Sequence, residues 1–368
     1  MPATSFDMTA VGACDAIRQE ATALAGQNAP FLMGRATGAL DFITDPQNVQ
    51  GLSSEVVSSA DEKVTTLRIL YDQRTRPCQV STDPNTNICT DTPTTVARKQ
   101  AFVNIDKKLT TPPRYFSNAD MVVLCKEMGD DKKAGFIRER LQNDLRAARE
   151  RLDEIILAEL SARRGKIYSW DGTTTAAGSS KSLQLLSITG SQDIPLPSNY
   201  VNMTMDYQNM QFEGVPAVIG QGYFDKYMKL QEMACCNSTT PFAQAVEAAG
   251  MAYYFDQAAN QMLGNNQVVV MPYGIIRLLT FNKNNNINFS TPQEAHTVIT
   301  DPVNPFIKWN LDFKWDCDTE RWKYEYSIHW TLFNVIQSDS FGVDTGTPDC
   351  GDELFGITGV SGYQITRS

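Results

Sequence analysis

Two periods of hydrophobic and polar positions run through this chain, and the places where one gives way to the other mark its elements. Ser117 and Asp120 form a capping-box-like start before Met121-Val122-Val123-Leu124. After the interruptions Gly129-Asp130-Asp131 and Gly135, apolar residues recur at threes and fours: Ile137, Leu141, Leu145, Ala148, Leu152, Ile156 and Leu160. That spacing predicts a helix of roughly six turns with one narrow apolar stripe. Its other faces carry Arg138, Glu139, Arg140, Asp144, Arg146, Arg149, Glu150, Arg151, Asp153 and Glu154, offset so that i,i+4 pairs form on a solvated surface. Arg163, Arg164 and Lys166 place cations at the negative end, and Gly165 supplies a stop.

Period two dominates the C-terminal part. Trp309, Leu311, Phe313 and Trp315 alternate with Asn310, Asp312, Lys314 and Asp316. A polar turn, Cys317 to Arg321, leads into Trp322, Tyr324, Tyr326, Ile328 and Trp330, alternating with Lys323, Glu325, Ser327 and His329. This is a hairpin with an aromatic face that needs a cover, and the helix stripe Ile137–Leu141–Leu145–Leu152–Ile156 is the matching surface.

Between and before these lie weaker signals. Residues 1–58 hold a short helix candidate, Asp15 to Leu24, and otherwise read as an arm with little core of its own, punctuated by Gly26, Pro30, Gly34 and Gly38. Strands are predicted from Lys63 to Tyr71 and from Ala101 to Ile105, flanking a polar, turn-rich stretch from Arg74 to Thr95. The pair reads as a long hairpin too poor in apolar residues to stand alone. After a loop at 171–181 come a strand at 182–188, a helix at 199–210, a buried strand at 215–220, and helices from Gly222 and from Gln244 to Met262. Strands at 267–273 and 275–281 are separated by the Pro272/Gly274 bend, and a polar loop from Asn282 to Asn288 follows. Residues 205–290 therefore read as a compact α/β unit.

Composition narrows the functional classes. Among 368 residues, 32 are Lys or Arg against 42 Asp or Glu, for a net charge of −10. A surface this acidic is ill suited to wrapping DNA. Only His296 and His329 are present, which disfavours histidine-dependent catalysis. The N-terminus lacks the basic stretch and apolar run of a secretion signal, and no apolar run approaches the ~20 residues of a membrane helix, so a soluble protein made in a host cytoplasm is expected. The eight cysteines form no CxxC pair, so no metal is expected and most should be packed thiols. Gly220-Gln221-Gly222 lacks the third glycine of a dinucleotide loop, with Asp225 in its place. Cys235-Cys236 has no local nucleophile signature, and the acidic residues form no general acid/base pair. No catalytic residue and no cofactor is expected. If the strands of the long hairpin stay paired to its tip, Cys78 and Cys89 can face one another and close a disulfide loop of about a dozen residues once exposed to oxidising surroundings.

An arm, a long hairpin, a charged spine helix at Ser117–Arg164, an α/β unit and a return to β-strands make an unusual order of parts. This order resembles the major capsid protein of tailed bacteriophages, the fold named after phage Hong Kong 97. The stretches most alike are that spine helix, Gly214–Met228 (Gly-Val-Pro-Ala-Val-Ile-Gly-Gln-Gly-Tyr-Phe-Asp-Lys-Tyr-Met), Ala248–Phe281, and Asp301-Pro302-Val303-Asn304-Pro305 with its hairpin. The resemblance implies an α+β fold with an N-terminal arm (1–58) and a two-stranded extended loop (59–116). It also implies a peripheral domain (117–204 and 291–368) and an axial domain (205–290). It further implies self-assembly into hexamers and pentamers of an icosahedral head enclosing double-stranded DNA, residence in the virion, and no enzymatic turnover. Partners would be further copies of the chain, with portal, scaffolding or decoration proteins. DNA would lie against the inner face without sequence-specific binding, and no membrane is involved. The long helical scaffolding prefix of some relatives is not seen at the start, which leaves separate scaffolding, none, or a removed prefix. Arg68, Arg74, Arg76, Lys99, Lys107 and Lys108 on the hairpin are the candidates for pairing with a neighbour's acidic patches. A covalent Lys–Asn cross-link, known in some relatives, has no distinguishing pattern here. A neck or tail component and, less well matched, a soluble α/β enzyme are the competing readings.

Overall fold

The computed structural model of the chain describes residues 35–49, 53–60, 64–71, 99–117, 130–189, 192–195, 197–210, 212, 216–221, 251–282, 294–301, 303–319, 321–335 and 357–367. Helices α1 (Gly38–Ile43) and α2 (Pro46–Val49) precede strands β1 (Ser53–Ala60), β2 (Val64–Tyr71), β3 (Lys99–Ile105), β4 (Lys107–Thr110) and β5 (Arg114–Ser117). The spine helix α3 (Asp130–Ala162) follows, then β6 (Ile167–Tyr168), β7 (Thr174–Thr175), β8 (Lys181–Thr189), β9 (Gln192–Pro195) and helix α4 (Pro197–Asn209). Next are β10 (Pro216–Gly220), β11 (Ala252–Phe255), helix α5 (Ala259–Met262), β12 (Gln267–Pro272) and β13 (Ile276–Phe281). Strands β14 (Glu294–Thr300), β15 (Lys308–Asp316), β16 (Arg321–Asn334) and β17 (Ser361–Arg367) complete the α+β fold.

Strand β16 organises one sheet. The predicted hairpin forms in the predicted register, with Trp315 opposite Trp322, Phe313 opposite Tyr324 and Leu311 opposite Tyr326. Its far half pairs with β13, Ile276 opposite Asn334, and with β4, Trp330 opposite Lys107, while β5 joins at Arg321–Tyr324. His329, expected on a polar face, is buried here.

The spine helix lies along this strand. Asp144 accepts a 2.6 Å hydrogen bond from the Tyr324 hydroxyl. At the other end Glu159 pairs with Lys107, whose ammonium stands 5.2 Å from the centroid of the Trp330 ring. Helix residues 144 to 159 span ~22 Å and strand residues 324 to 330 ~20 Å, so the two run side by side. Leu145, Ala148, Leu152, Ile156 and Leu160 are buried in one cluster with Trp309, Tyr324, Tyr326 and Trp330. The expected packing of stripe on hairpin is therefore present; the side chains of Ile137 and Leu141 lie outside the described residues.

Three expectations for the helix change. Arg149, Asp153 and Leu157 are buried too, so the stripe is a broad face that also meets α1 and α5. The helix starts at Asp130 and passes through Gly135, whereas Ser117 ends a strand opposite Arg321. Strand pairing outweighs the local capping signal there. At the C-terminus the cation does its work from outside the last turn: the Arg164 Nε donates to the Ser161 carbonyl at 2.9 Å.

A second, mixed sheet runs in the order β11-β10-β12-β17-β8-β9. It unites β8 and β9 with β10, β11, β12 and β17, while β13 leaves for the β16 sheet. Strand pairing thus cuts across the boundary expected at 205–290. The helix expected from Gln244 is, at Ala252–Phe255, a strand parallel to β10. Three consecutive aromatics suit a pleated edge better than a helix interior.

The extended hairpin also differs. A third strand, β1, pairs with β2, its polar sequence SSEVVSSA giving little apolar signal. The sheet begins before residue 59 and rests on a small cluster of Leu67, Ile69 and Ile105 against Phe333. Gly38–Ile43, expected to be part of an arm, is instead a helix with Ala39, Leu40, Phe42 and Ile43 buried in the main core. The short helix expected at Asp15–Leu24 and the pair Cys78/Cys89 lie outside the described residues.

Candidate functional site

Six residues of helix cannot stand alone in water, so α1 persists because of what it meets. A Cβ on Gly38 would lie 2.6 Å from the Phe255 carbonyl oxygen, so only glycine allows this approach to β11. The Thr37 side chain makes no cap. Two distant carboxylates cap the helix instead: the Ala39 amide donates to Asp256 Oδ2 at 2.9 Å and the Leu40 amide to Asp153 Oδ1 at 3.1 Å.

Around this contact lies a network of buried polar groups. The Arg35 guanidinium donates to Glu154 Oε1 and to the Glu150 carbonyl, both at 2.8 Å, and its Nη2 is 3.8 Å from Asp153. Against the pull of burial, hydrogen bonds from Arg35 and Arg151 hold the Glu154 carboxyl below its usual range. Tyr254 donates to Asp45 and meets the Tyr273 hydroxyl, each at 2.9 Å, and the Phe42 ring stands edge-on to Tyr254. Burial pushes the Tyr254 hydroxyl up. Asn48 accepts from the Gly274 amide at 2.6 Å, where φ is +80°, and Asn304 donates to Thr44.

Asp153 and Asp256 are both fully buried, and their carboxyls cap the adjacent amides of Leu40 and Ala39. Two buried carboxyls sharing one helix end repel each other unless one carries a proton. Burial, then the charge of Asp256, pushes Asp153 up to about 9. Burial pushes Asp256 up as well.

Other buried acids have cations or fixed donors. Asp301 takes amide bonds from Val303 at 2.9 Å and Asn304 at 3.1 Å, a third bond from the Trp309 indole, and faces Arg149 at 3.5 Å. Asp206 meets Lys181 at 2.7 Å, and also receives the Trp170 amide and the Tyr363 hydroxyl. The turn after Asp301 leaves Val303 and Phe306 exposed.

Of the six cations named from sequence, four are described. Arg68 sits half-buried on β2, opposite the exposed Phe102, and Lys99 opens β3. Lys108 is exposed on β4. Lys107 is set by the β4 register between Trp330 and Glu159, so its charge already has a partner within the chain. Arg74 and Arg76 lie outside the described residues. Gly220 has a packing role: a Cβ there would meet Val268 Cγ1 at 2.5 Å. Among the described residues no group of His, Cys, Asp or Glu is arranged to hold a metal, and no helix is long and apolar enough to cross a membrane.

Sequence reasoning placed Asp153 on a solvated face and passed over Asp256 and Arg35. The signal available was positional: Asp153 falls between Leu152 and Ile156 on a face that a wider stripe would have included.

No protein-family model matches the chain, and no curated protein matches it by sequence. Among solved structures the chain is similar to one from Mycobacterium phage Che8, at 9% identity over 86% of this chain and 93% of that one, TM-score 0.36. It is similar to a chain of the cyanophage A-1(L) capsid asymmetric unit, at 10% identity over 91% of this chain and 94% of that one, TM-score 0.44. A third is a chain of the satellite phage P4 procapsid including the size determination protein, at 7% identity over 86% and 84%, TM-score 0.34.

Proposed function

We propose that this chain is a structural shell protein, the major capsid protein of a tailed phage, which assembles with copies of itself into hexamers, pentamers and a closed icosahedral head around double-stranded DNA. The observation that carries this reading is the spine helix lying along β16 while a three-stranded sheet extends from the end of the same strand system. The buried charged groups support it, because Arg35, Arg149, Asp206 and Asp301 each tie one element to another. A role without catalytic turnover follows.

The outward face of the β1–β3 sheet, with Phe102, is the surface offered to a neighbouring copy, and Lys108 is a cation available for a neighbour's acidic side. A net charge of −10 suits a shell whose inner surface must not bind its genome, with DNA held by confinement and not by specific contacts. Portal, scaffolding and decoration proteins are the further partners of such a shell, and the virion is its location.

Sedimentation velocity and negative-stain microscopy of the purified chain test the reading. Closed shells or hexamers and pentamers are expected. A monomer under every assembly condition, or a reproducible hydrolase activity, overturns it.

A further inference from the structure

The Asp153–Asp256 pair sits where three elements meet: the spine helix, the end of β11 and the start of α1. Each carboxyl caps one α1 amide, and Asp256 also accepts from the Ala258 amide at 2.9 Å. Asp153 Oδ2 is buried with no hydrogen-bond partner, and a proton between it and the neighbouring Asp256 carboxyl would satisfy it.

The surrounding charge supplies only a partial substitute for that proton: Arg35 Nη2 lies 3.8 Å from Asp153. Arg35 approaches from the segment before α1, but its guanidinium is taken by Glu154 and the Glu150 carbonyl. Arg149 of the spine helix faces Asp301 of the β14–β15 turn. Asp41 and Asp45 on the α1 side and Glu150 of the spine helix add further negative charge, while Tyr254 of β11 is neutral and bonded to Asp45. A second negative charge at the pair would have only Arg35, 3.8 Å from Asp153 and already bonded to Glu154 and the Glu150 carbonyl, to answer it.

We propose that residues 35–49 are held to the body by a proton-sensitive clasp: one proton shared between the Asp153 and Asp256 carboxyls keeps α1 docked on the spine helix, and its loss loosens that docking. The clasp is a property of the single chain and needs no assembly. Opening α1 lets water reach the pair, so the docked state binds one proton more than the open state. Docking is therefore firmest in mild acid and weakens as pH rises, until Asp153 ionises in the docked state too, at about 9.

Hydrogen exchange by mass spectrometry on the purified full chain tests this, with rates corrected for intrinsic exchange. In peptides covering 35–49, protection should fall by up to about tenfold per pH unit between roughly pH 6 and 9, the limit for one linked proton. Peptides of β16 should not follow. Asp153→Asn keeps an acceptor for Leu40 and offers a fixed donor to Asp256, so its 35–49 protection should be nearly independent of pH. Protection in the wild type that does not change with pH, or the same slope in Asp153→Asn, overturns the clasp. Should that variant fail to fold, the infrared spectrum of the wild type at pH 7 decides: a protonated-carboxyl stretch that disappears above about pH 9 supports the clasp, and its absence at pH 7 overturns it.

Discussion

Two outlying segments, α1 and the β1–β3 sheet, are docked on the body in different ways. Helix α1 drives Ala39, Leu40, Phe42 and Ile43 into the main cluster and ties its amides to Asp153 and Asp256. The β1–β3 sheet rests on a separate cluster of Leu67, Ile69, Ile105 and Phe333, and turns Phe102 outward. The first segment shares its stabilising contacts with the spine helix. The second has a satellite core that can open while the main core stays closed. In the shell role proposed above, the second arrangement would suit a surface that completes itself on a neighbour.

That contrast can be broken most severely at Phe42. Phe42→Ala empties a fully buried site beside Tyr254 and Tyr273 and should cost about 3–5 kcal/mol in global unfolding. Leu152→Ala, on the helix face opposite, should cost about 2–5 kcal/mol in the same denaturant experiment. A change under ~0.5 kcal/mol at either site would show that α1 does not share the main core.

Ile69→Ala separates the two regions. It should lower hydrogen-exchange protection of β2 and β3 amides while leaving the denaturation midpoint of the body nearly unchanged. An equal loss across β16 would mean that the satellite cluster is part of one cooperative core.

Acid and base sharpen the comparison further. With Asp153 raised from 3.8 to about 9, its contribution to stability is present below about pH 4 and is lost as pH rises to about 9. A stability profile of Asp153→Asn should lack that decline, and the difference should appear in α1 before the β1–β3 sheet.

The smallest effect belongs to the surface. Arg114→Ala removes a half-exposed guanidinium 3.3 Å from Asp144, and thermal unfolding should register no more than ~1 kcal/mol. A larger loss would show that the middle of the spine helix depends on this strand.

The elements readable in advance were those whose own side chains announce burial. The threes and fours of Leu145, Leu152 and Leu160 and the alternation of Trp309–Trp330 each carry their period in the residues themselves, so the spine helix, the hairpin and their contact were legible. What side-chain periodicity does not encode is pairing between distant segments. Strand β1 has a polar sequence and exists through its ladder with β2, and Ala252–Phe255 is a strand because β10 offers it an edge. Likewise Gly38–Ile43 looked like an arm because its two caps come from residues more than a hundred positions away.

The same division holds for the candidate site. Composition alone determined an acidic chain with two histidines. Only the tertiary structure decided which charges matter. Lys107 is used inside the chain because register puts it beside Glu159, and Asp153 loses solvent because α1 closes over it. A carboxyl's neighbours set its proton affinity, and at Asp153 those neighbours are brought by folding, not by sequence.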